Sequence, residues 1–119
     1  MENIKIELEG VTIAPINVAA MVHYYNVVFA ANLEPFAAFG TTLYRGQLAR
    51  LRLIFCPNDF LNIQAEKNRQ QFSFGVSDVT AVVQKSITAG GQGEVHESEQ
   101  GYTGTLHDPD GNSIEISEL

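Results

Sequence analysis

Apolar and polar residues alternate with a period of two at several places along this chain, and recur with a helical period at two others. The clearest alternation is the last one. Ile114 and Ile116 interleave with Ser113, Glu115 and Ser117, the pattern of a strand with one apolar and one polar face. It follows Asp108-Pro109-Asp110-Gly111-Asn112, where Asp, Pro and Gly stand at the positions a type I turn favours. Upstream, Val11 to Val22 aligns without gaps on Phe72 to Val83. In both copies an alternating strand runs into a residue placed to cap a helix, Asn17 or Asp78. Val18, Met21, Tyr25 and Val28 then recur at helical spacing in the first copy, and Val79, Val82 or Val83, and Ser86-Ile87 in the second. The second helix is predicted to stop at Ala89-Gly90-Gly91, where glycine supplies a left-handed cap.

Three short β-type segments are expected after each helix. In the first copy they run approximately Leu33 to Phe39, Thr41 to Arg45 and Leu48 to Cys56, with Gly40 and Gly46-Gln47 as turns. In the second they run about Gln92 to Ser98, Gly101 to His107 and Ser113 to Ser117. The polar stretch 64–70 reads as a linker between a first module, 1–63, and a second, 71–119. The organisation is βαβββ twice, an α+β pattern in which each sheet carries one helix on one face.

Strand parity then sorts the side chains. If Ile114 and Ile116 meet the second helix, Ser113, Glu115 and Ser117 point the other way. By the same rule Phe72, Phe74 and Val76 face that helix, and Gln71, Ser73 and Gly75 do not. In the first module Val11, Ile13, Leu51 and Leu53 face their helix, which turns Gly10, Thr12, Ala14 and Arg52 to the opposite side. Glu115 in one module therefore stands where Arg52 stands in the other.

Bulk properties narrow the field. A chain of 119 residues buries one modest core. A formal net charge of -7 and a pI near 4.7 argue against nucleic acid and against an anionic membrane surface. No apolar run is long enough to span a bilayer and the start lacks a secretory pattern, so the cytoplasm is the expected location. The single Cys56, in Leu53-Ile54-Phe55-Cys56, excludes an internal disulfide and a Cys-rich zinc site, and reads as a buried, inert thiol. Phosphate-loop and nucleophile-elbow signatures are absent. Asp108-x-Asp110-Gly111-Asn112 echoes a calcium loop, but Glu115 follows Gly111 too soon to be its closing ligand.

The duplicated βαβββ pattern, closing on Asp108-Pro109-Asp110-Gly111-Asn112 and an apolar-Glu-apolar strand, resembles the vicinal oxygen chelate superfamily. That group holds glyoxalase I, the bleomycin-resistance proteins and the extradiol dioxygenases. The resemblance covers nearly the whole chain. It implies two sheets curled into a U-shaped trough with helices outside, a site in the trough, and a homodimer in which both chains contribute to that site.

Metal-dependent relatives bind one divalent ion through an inward residue of each module's first strand and an inward Glu of each last strand. Carried across, the second module offers Gln71 and Glu115, while the first offers Gly10, without a side chain, and Arg52, a cation. A guanidinium has no lone pair to give and repels a cation. No family-type metal is therefore expected. His23, His96 and His107 do not replace the missing donors, although His107 shares a strand face with Thr103 and Thr105.

Two readings follow. In the first, the chain is a metal-free binding protein of the bleomycin-resistance type rather than an enzyme. Glu115 anchors a cationic or hydroxyl-bearing ligand, or pairs with Arg52, while Arg50 or Arg52 takes a carboxylate, phosphate or aromatic face. Gln71, Ser73, Tyr102 and His107 line the cleft, and Tyr44, Phe36 and Phe39 supply stacking walls. The alternative is a metal-dependent glyoxalase-like lyase, an isomerase or a ring-cleaving dioxygenase that uses Gln71 and Glu115 as ligands.

Overall fold

In the computed structural model, which describes residues 4–5, 7–56, 70–99 and 101–119, the duplication is realised as two sheets of the same order. The first module runs β1 (Gly10–Ile13), α1 (Val18–Phe29), β2 (Glu34–Ala38), β3 (Thr41–Leu48) and β4 (Leu51–Phe55). The second runs β5 (Phe72–Val76), α2 (Val79–Thr88), β6 (Gln92–Ser98), β7 (Gly101–His107) and β8 (Ser113–Glu118). The sheets are ordered β1-β4-β3-β2 and β5-β8-β7-β6. In each, the first strand pairs parallel with the last and the other pairs are antiparallel. Residues 64–69 of the expected linker lie outside the described residues.

Both helices start as the caps dictate. The Asn17 side chain accepts from the Ala20 N–H at 3.2 Å and that of Asp78 from the Ala81 N–H at 3.0 Å; such a cap is worth about 1 kcal/mol. Helix α1 ends on Ala30, at φ 51°, and α2 on Ala89, followed by Gly90 at φ 97°. The expected glycine stop is therefore found for α2.

The parity assignments hold on both sheets. Ile114, Ile116, Leu53, Phe55 and Leu106 are buried with Met21, Tyr24, Tyr25 and Val28 of α1 and Val79 and Val83 of α2, in one continuous cluster spanning both modules. Burying each aliphatic side chain contributes about 1.5–3 kcal/mol, and this cluster fixes which face of every strand stays open. Tyr44 belongs to it as well, half-buried against the core. It is therefore not a wall of the open face: in register with Phe55 on β4, its parity is the helix-facing one.

Gly46-Gln47 is not a turn. Both residues lie inside β3, opposite Leu53 and Arg52, and the hairpin turns at Ala49-Arg50. The glycine has another purpose there. A Cβ at Gly46 would collide with the Ala31 carbonyl oxygen, which accepts from the Gln47 N–H at 2.8 Å. The residue permits a close backbone approach after α1, a use that sequence alone does not distinguish from a turn.

Candidate functional site

The open face of the second sheet is a polar grid laid out by register. Across its middle row stand Ser73 on β5, Glu115 on β8, Thr105 on β7 and Glu94 on β6. The next row holds Ser113, His107 and Gln92, and the far row Gly75, Ser117, Thr103 and His96. Glu115 is half-buried at the centre, and its Oε1 accepts from Thr105 Oγ1 at 3.0 Å. Gln71, exposed, donates from Nε2 to Ser113 Oγ at 2.7 Å. A small cavity of about 160 Å³ is lined by Gln92, Gly93, Glu94, Thr105 and His107. His107 and Gln92 also border a wider recess beside Gly90, Gly91 and the loop Asp108–Gly111.

The open face of the first sheet differs in sign. Arg52 is exposed there beside Gln47, and Arg45 beside Ile54 and Glu34. The Arg45 guanidinium lies over the Phe36 ring, 4.7 Å from its centroid.

Of the expected site residues, the structure brings Glu115, Ser73 and His107 onto one face of the second sheet with Gln71 bonded at its margin, and Arg52 onto the open face of the first. Three aromatic and basic positions fall elsewhere. Arg50 sits in the two-residue turn between β3 and β4, exposed, because Leu48 and Leu51 already pair and close the hairpin. Tyr102, opposite Glu97, has the parity of Gly104 and Leu106 and so lies on the helix side of β7. Phe39 occupies the β2–β3 turn at φ 54°, and 81% of it is exposed. Among the described residues no ion pair joins Glu115 to Arg52, which stand on separate sheets. Arg45, Gln92 and Glu94 were missed. The signal was present in the strand alternation, but the misplaced turn at Gly46-Gln47 cut β3 short and hid its pairing.

Of the four positions where metal-dependent relatives carry ligands, the two in the first module offer no donor to a divalent ion. At Gly10 a Cβ would stand 2.6 Å from the Arg52 carbonyl oxygen, so β1 has no room for a donor side chain there. Arg52 brings a fixed positive charge. Among the described residues no group of three or more His, Cys, Asp or Glu is placed to hold a metal.

The closing loop makes a second polar centre, between the modules. Asp108 is 3% exposed. Its carboxylate accepts from Tyr25 Oη at 2.9 Å, from the Asn112 N–H at 2.9 Å, from Asn112 Nδ2 and from the Asp110 N–H. Asp110 reaches the start of α1 and accepts from the N–H groups of Ile16 and Asn17 at 2.7 and 3.0 Å. The Tyr24 hydroxyl contacts Ser86 Oγ at 2.6 Å, and Ser86 donates to the Gln92 carbonyl at 2.8 Å. Burial, partly offset by the Ser86 hydrogen bond and helped by the charge of Asp108, pushes Tyr24 up to about 12. Burial, then the charge and hydrogen bond of Asp108, push Tyr25 well above the ordinary tyrosine range. These groups tie the two modules to each other, and the hydroxyls of Tyr24 and Tyr25 keep their protons near neutral pH.

A family model described as a glyoxalase-like domain matches residues 10–117. The chain belongs to that family. Solved structures with the same fold include a glyoxalase/bleomycin resistance protein/dioxygenase family enzyme from Burkholderia phytofirmans PsJN, 18% identical, with 96% of this chain and 99% of that one covered and a TM-score of 0.73. The fosfomycin resistance protein FosX from Mesorhizobium loti is 13% identical, with coverages of 98% and 94% and a TM-score of 0.72. Lactoylglutathione lyase from Agrobacterium tumefaciens is 20% identical, with coverages of 94% and 92% and a TM-score of 0.63. No curated protein matches the chain. At these identities the solved structures speak for the fold alone. Among the described residues no helix is long and apolar enough to cross a membrane.

Proposed function

We propose that this glyoxalase-like chain is a metal-free small-molecule-binding protein of the bleomycin-resistance type, with two copies completing the trough and Glu115 as its polar anchor. The observation that carries this reading is the mismatch of the four ligand positions. One sheet supplies Gly10, closed off by the Arg52 backbone, and a guanidinium; the other supplies Gln71 and Glu115, each bonded within its own sheet. A half-buried carboxylate among hydroxyl groups instead suits a hydroxyl-bearing or cationic group. The need for a second copy is supported by the division of the strands into two four-stranded sheets rather than one continuous sheet. The radius of gyration of 15.6 Å also exceeds the roughly 13–14 Å of a compact domain this long.

Chelator-washed protein titrated with nickel, zinc, manganese and ferrous iron tests the reading. No stoichiometric uptake is expected. Uptake abolished by Glu115→Ala would instead favour the alternative, a metal-dependent lyase, isomerase or dioxygenase built on Gln71 and Glu115. Bleomycin, cationic and aromatic, is the first ligand probe; a saturable rise in melting temperature is expected, and its loss in Glu115→Gln assigns the anchor. Sedimentation at equilibrium should report a dimer, and a purely monomeric species would remove the shared trough.

A further inference from the structure

We infer that the cavity over the β6–β7 pair, on the open face of the second sheet, is a subsite for a protonated primary amine with Glu94 as its counter-ion. This rests on the reading above that the open faces bind a small molecule. It assigns the cationic end of that molecule to a place two strands away from Glu115, and leaves Glu115 to a hydroxyl group.

The hydrogen bonds on this face decide what the cavity can take. Gln92, Glu94, Thr105 and His107 share the open-face parity, and all four border one cavity of about 160 Å³ together with the Gly93 backbone. Thr105 gives its only hydroxyl proton to Glu115 Oε1 at 3.0 Å, so toward the cavity its oxygen can only accept. Glu94, directly across from Thr105, is a carboxylate and likewise only accepts. A neutral imidazole at His107 carries one further acceptor nitrogen. Among the described residues no hydrogen bond or ion pair engages the side chains of Gln92, Glu94 or His107.

A cavity so rich in acceptors suits a guest made of donors. An ammonium has three N–H groups and no lone pair, and Glu94, Thr105 and His107 offer it one acceptor each. Its bond to the carboxylate is the stronger, charge-assisted kind. A quaternary ammonium lacks those donors and is held instead by aromatic faces, and among the described residues His107 is the one ring bordering the cavity. The electrostatic field points the same way. Residues 71–119 hold one Lys, no Arg and eight Asp or Glu, and that Lys85 belongs to α2 rather than to a strand. Among the described residues no fixed cation therefore stands on this face to neutralise Glu94. Glu115, two strands away and so about 9–10 Å distant along the row, adds a second negative charge, and the local potential favours a cation. The recess of about 310 Å³ that shares Gln92 and His107 with the cavity gives room for a short carbon substituent.

The test uses the full-length, chelator-washed, isotope-labelled protein at neutral pH and fixed ionic strength. It is titrated with ethylammonium chloride and, in parallel, with tetramethylammonium chloride, following the Gln92 side-chain amide and Thr105 methyl signals by NMR. Ethylammonium is expected to shift both signals together and to saturate, and tetramethylammonium to shift neither at the same concentrations. Glu94→Gln should weaken ethylammonium binding about tenfold, equivalent to roughly 1.4 kcal/mol. Glu97→Gln removes the same charge from the other face of the same strand and should leave binding unchanged, while Glu115→Gln should cost less than Glu94→Gln. Unchanged melting temperatures show that each variant folds. No saturable shift, equal responses to the two salts, equal losses in Glu94→Gln and Glu97→Gln, or a larger loss in Glu115→Gln overturn the assignment. The last of these keeps Glu115 as the cationic anchor and so leaves the reading above intact. Metal uptake through Glu115 would overturn that reading and leave a saturable, Glu94-dependent amine site standing, so the two failures are told apart.

Discussion

The two modules agree wherever they meet a helix and disagree wherever they do not. Strand order, parallel first-to-last pairing, an Asn or Asp cap and the apolar parity of every inner strand are repeated. The open faces carry opposite charge, Arg45 and Arg52 on one and Glu94 and Glu115 on the other. The connections before the last strands also differ: Ala49-Arg50 turns in two residues, whereas the loop 108–112 has five and docks on the other module. Core packing constrains one face of each strand, and leaves the other free to acquire chemistry.

The sharpest way to break the comparison is at that loop. Asp108→Ala removes the acceptor of four buried or half-buried donors, Tyr25 Oη among them. A loss of about 3–5 kcal/mol in urea unfolding is expected from stranding several donors at once. The equivalent turn in the first module should tolerate Arg50→Ala with almost no change. Equal effects at the two sites would mean that the loop is not what joins the modules.

Gly91→Ala comes next. A Cβ there would meet the His107 carbonyl and stand 2.5 Å from Tyr24 Cε2, neither of them a flexible chain end, so about 1–3 kcal/mol should be lost through overpacking. Thermal melts of this variant against Gly90→Ala separate close approach from backbone conformation, since Gly90 has open space around it but a φ of 97°.

Alkaline unfolding probes the same seam. Tyr24 is raised from 10.0 to about 12 and Tyr25 is raised as well. The unfolded chain gives up these protons first, so above pH 10 it binds fewer protons than the folded chain. The stability these groups contribute is complete below pH 10 and declines as pH rises toward 12, by up to about 1.4 kcal/mol per pH unit for each tyrosine. Tyr25→Phe should flatten that slope, measured as urea midpoints across the range. An unaltered slope would mean that Tyr25 is not the titrating group.

The smallest effect is expected from Asp110→Ala, which strips the α1 start of two hydrogen bonds and should cost about 1 kcal/mol. The same salt dependence of the melting temperature in variant and parent would show that charge plays no part in the contact.

How far the sequence could be read follows the same division. Periodicity disclosed both helices, the repeated βαβββ succession and the helix-facing parity of Ile114, Ile116, Leu53 and Phe74, because burial imposes a local pattern on the chain. It placed Ser73, Glu115 and His107 on one face for the same reason. Pairing between strands is not local. Gly46 serves a close approach to Ala31, and its resemblance to a turn glycine displaced Arg45 from view and moved Arg50 into the site. Tyr44 and Tyr102 went to the wrong face because an aromatic residue in a strand carries no mark of which side is covered. Asp108 and Asp110 were recognised as turn formers, whereas their grip on Tyr25 and on the start of α1 spans more than eighty residues of sequence and left no nearby trace.

That grip has a mechanical corollary. Two carboxylates on one short connection tie the halves of the molecule to each other through hydrogen bonds to Tyr25 and to the start of α1. Exchanging a residue in the loop would therefore shift the two open sheet faces relative to each other while leaving every side chain on them intact. Selection can tune how the two faces meet from a single connection, without altering the residues they display.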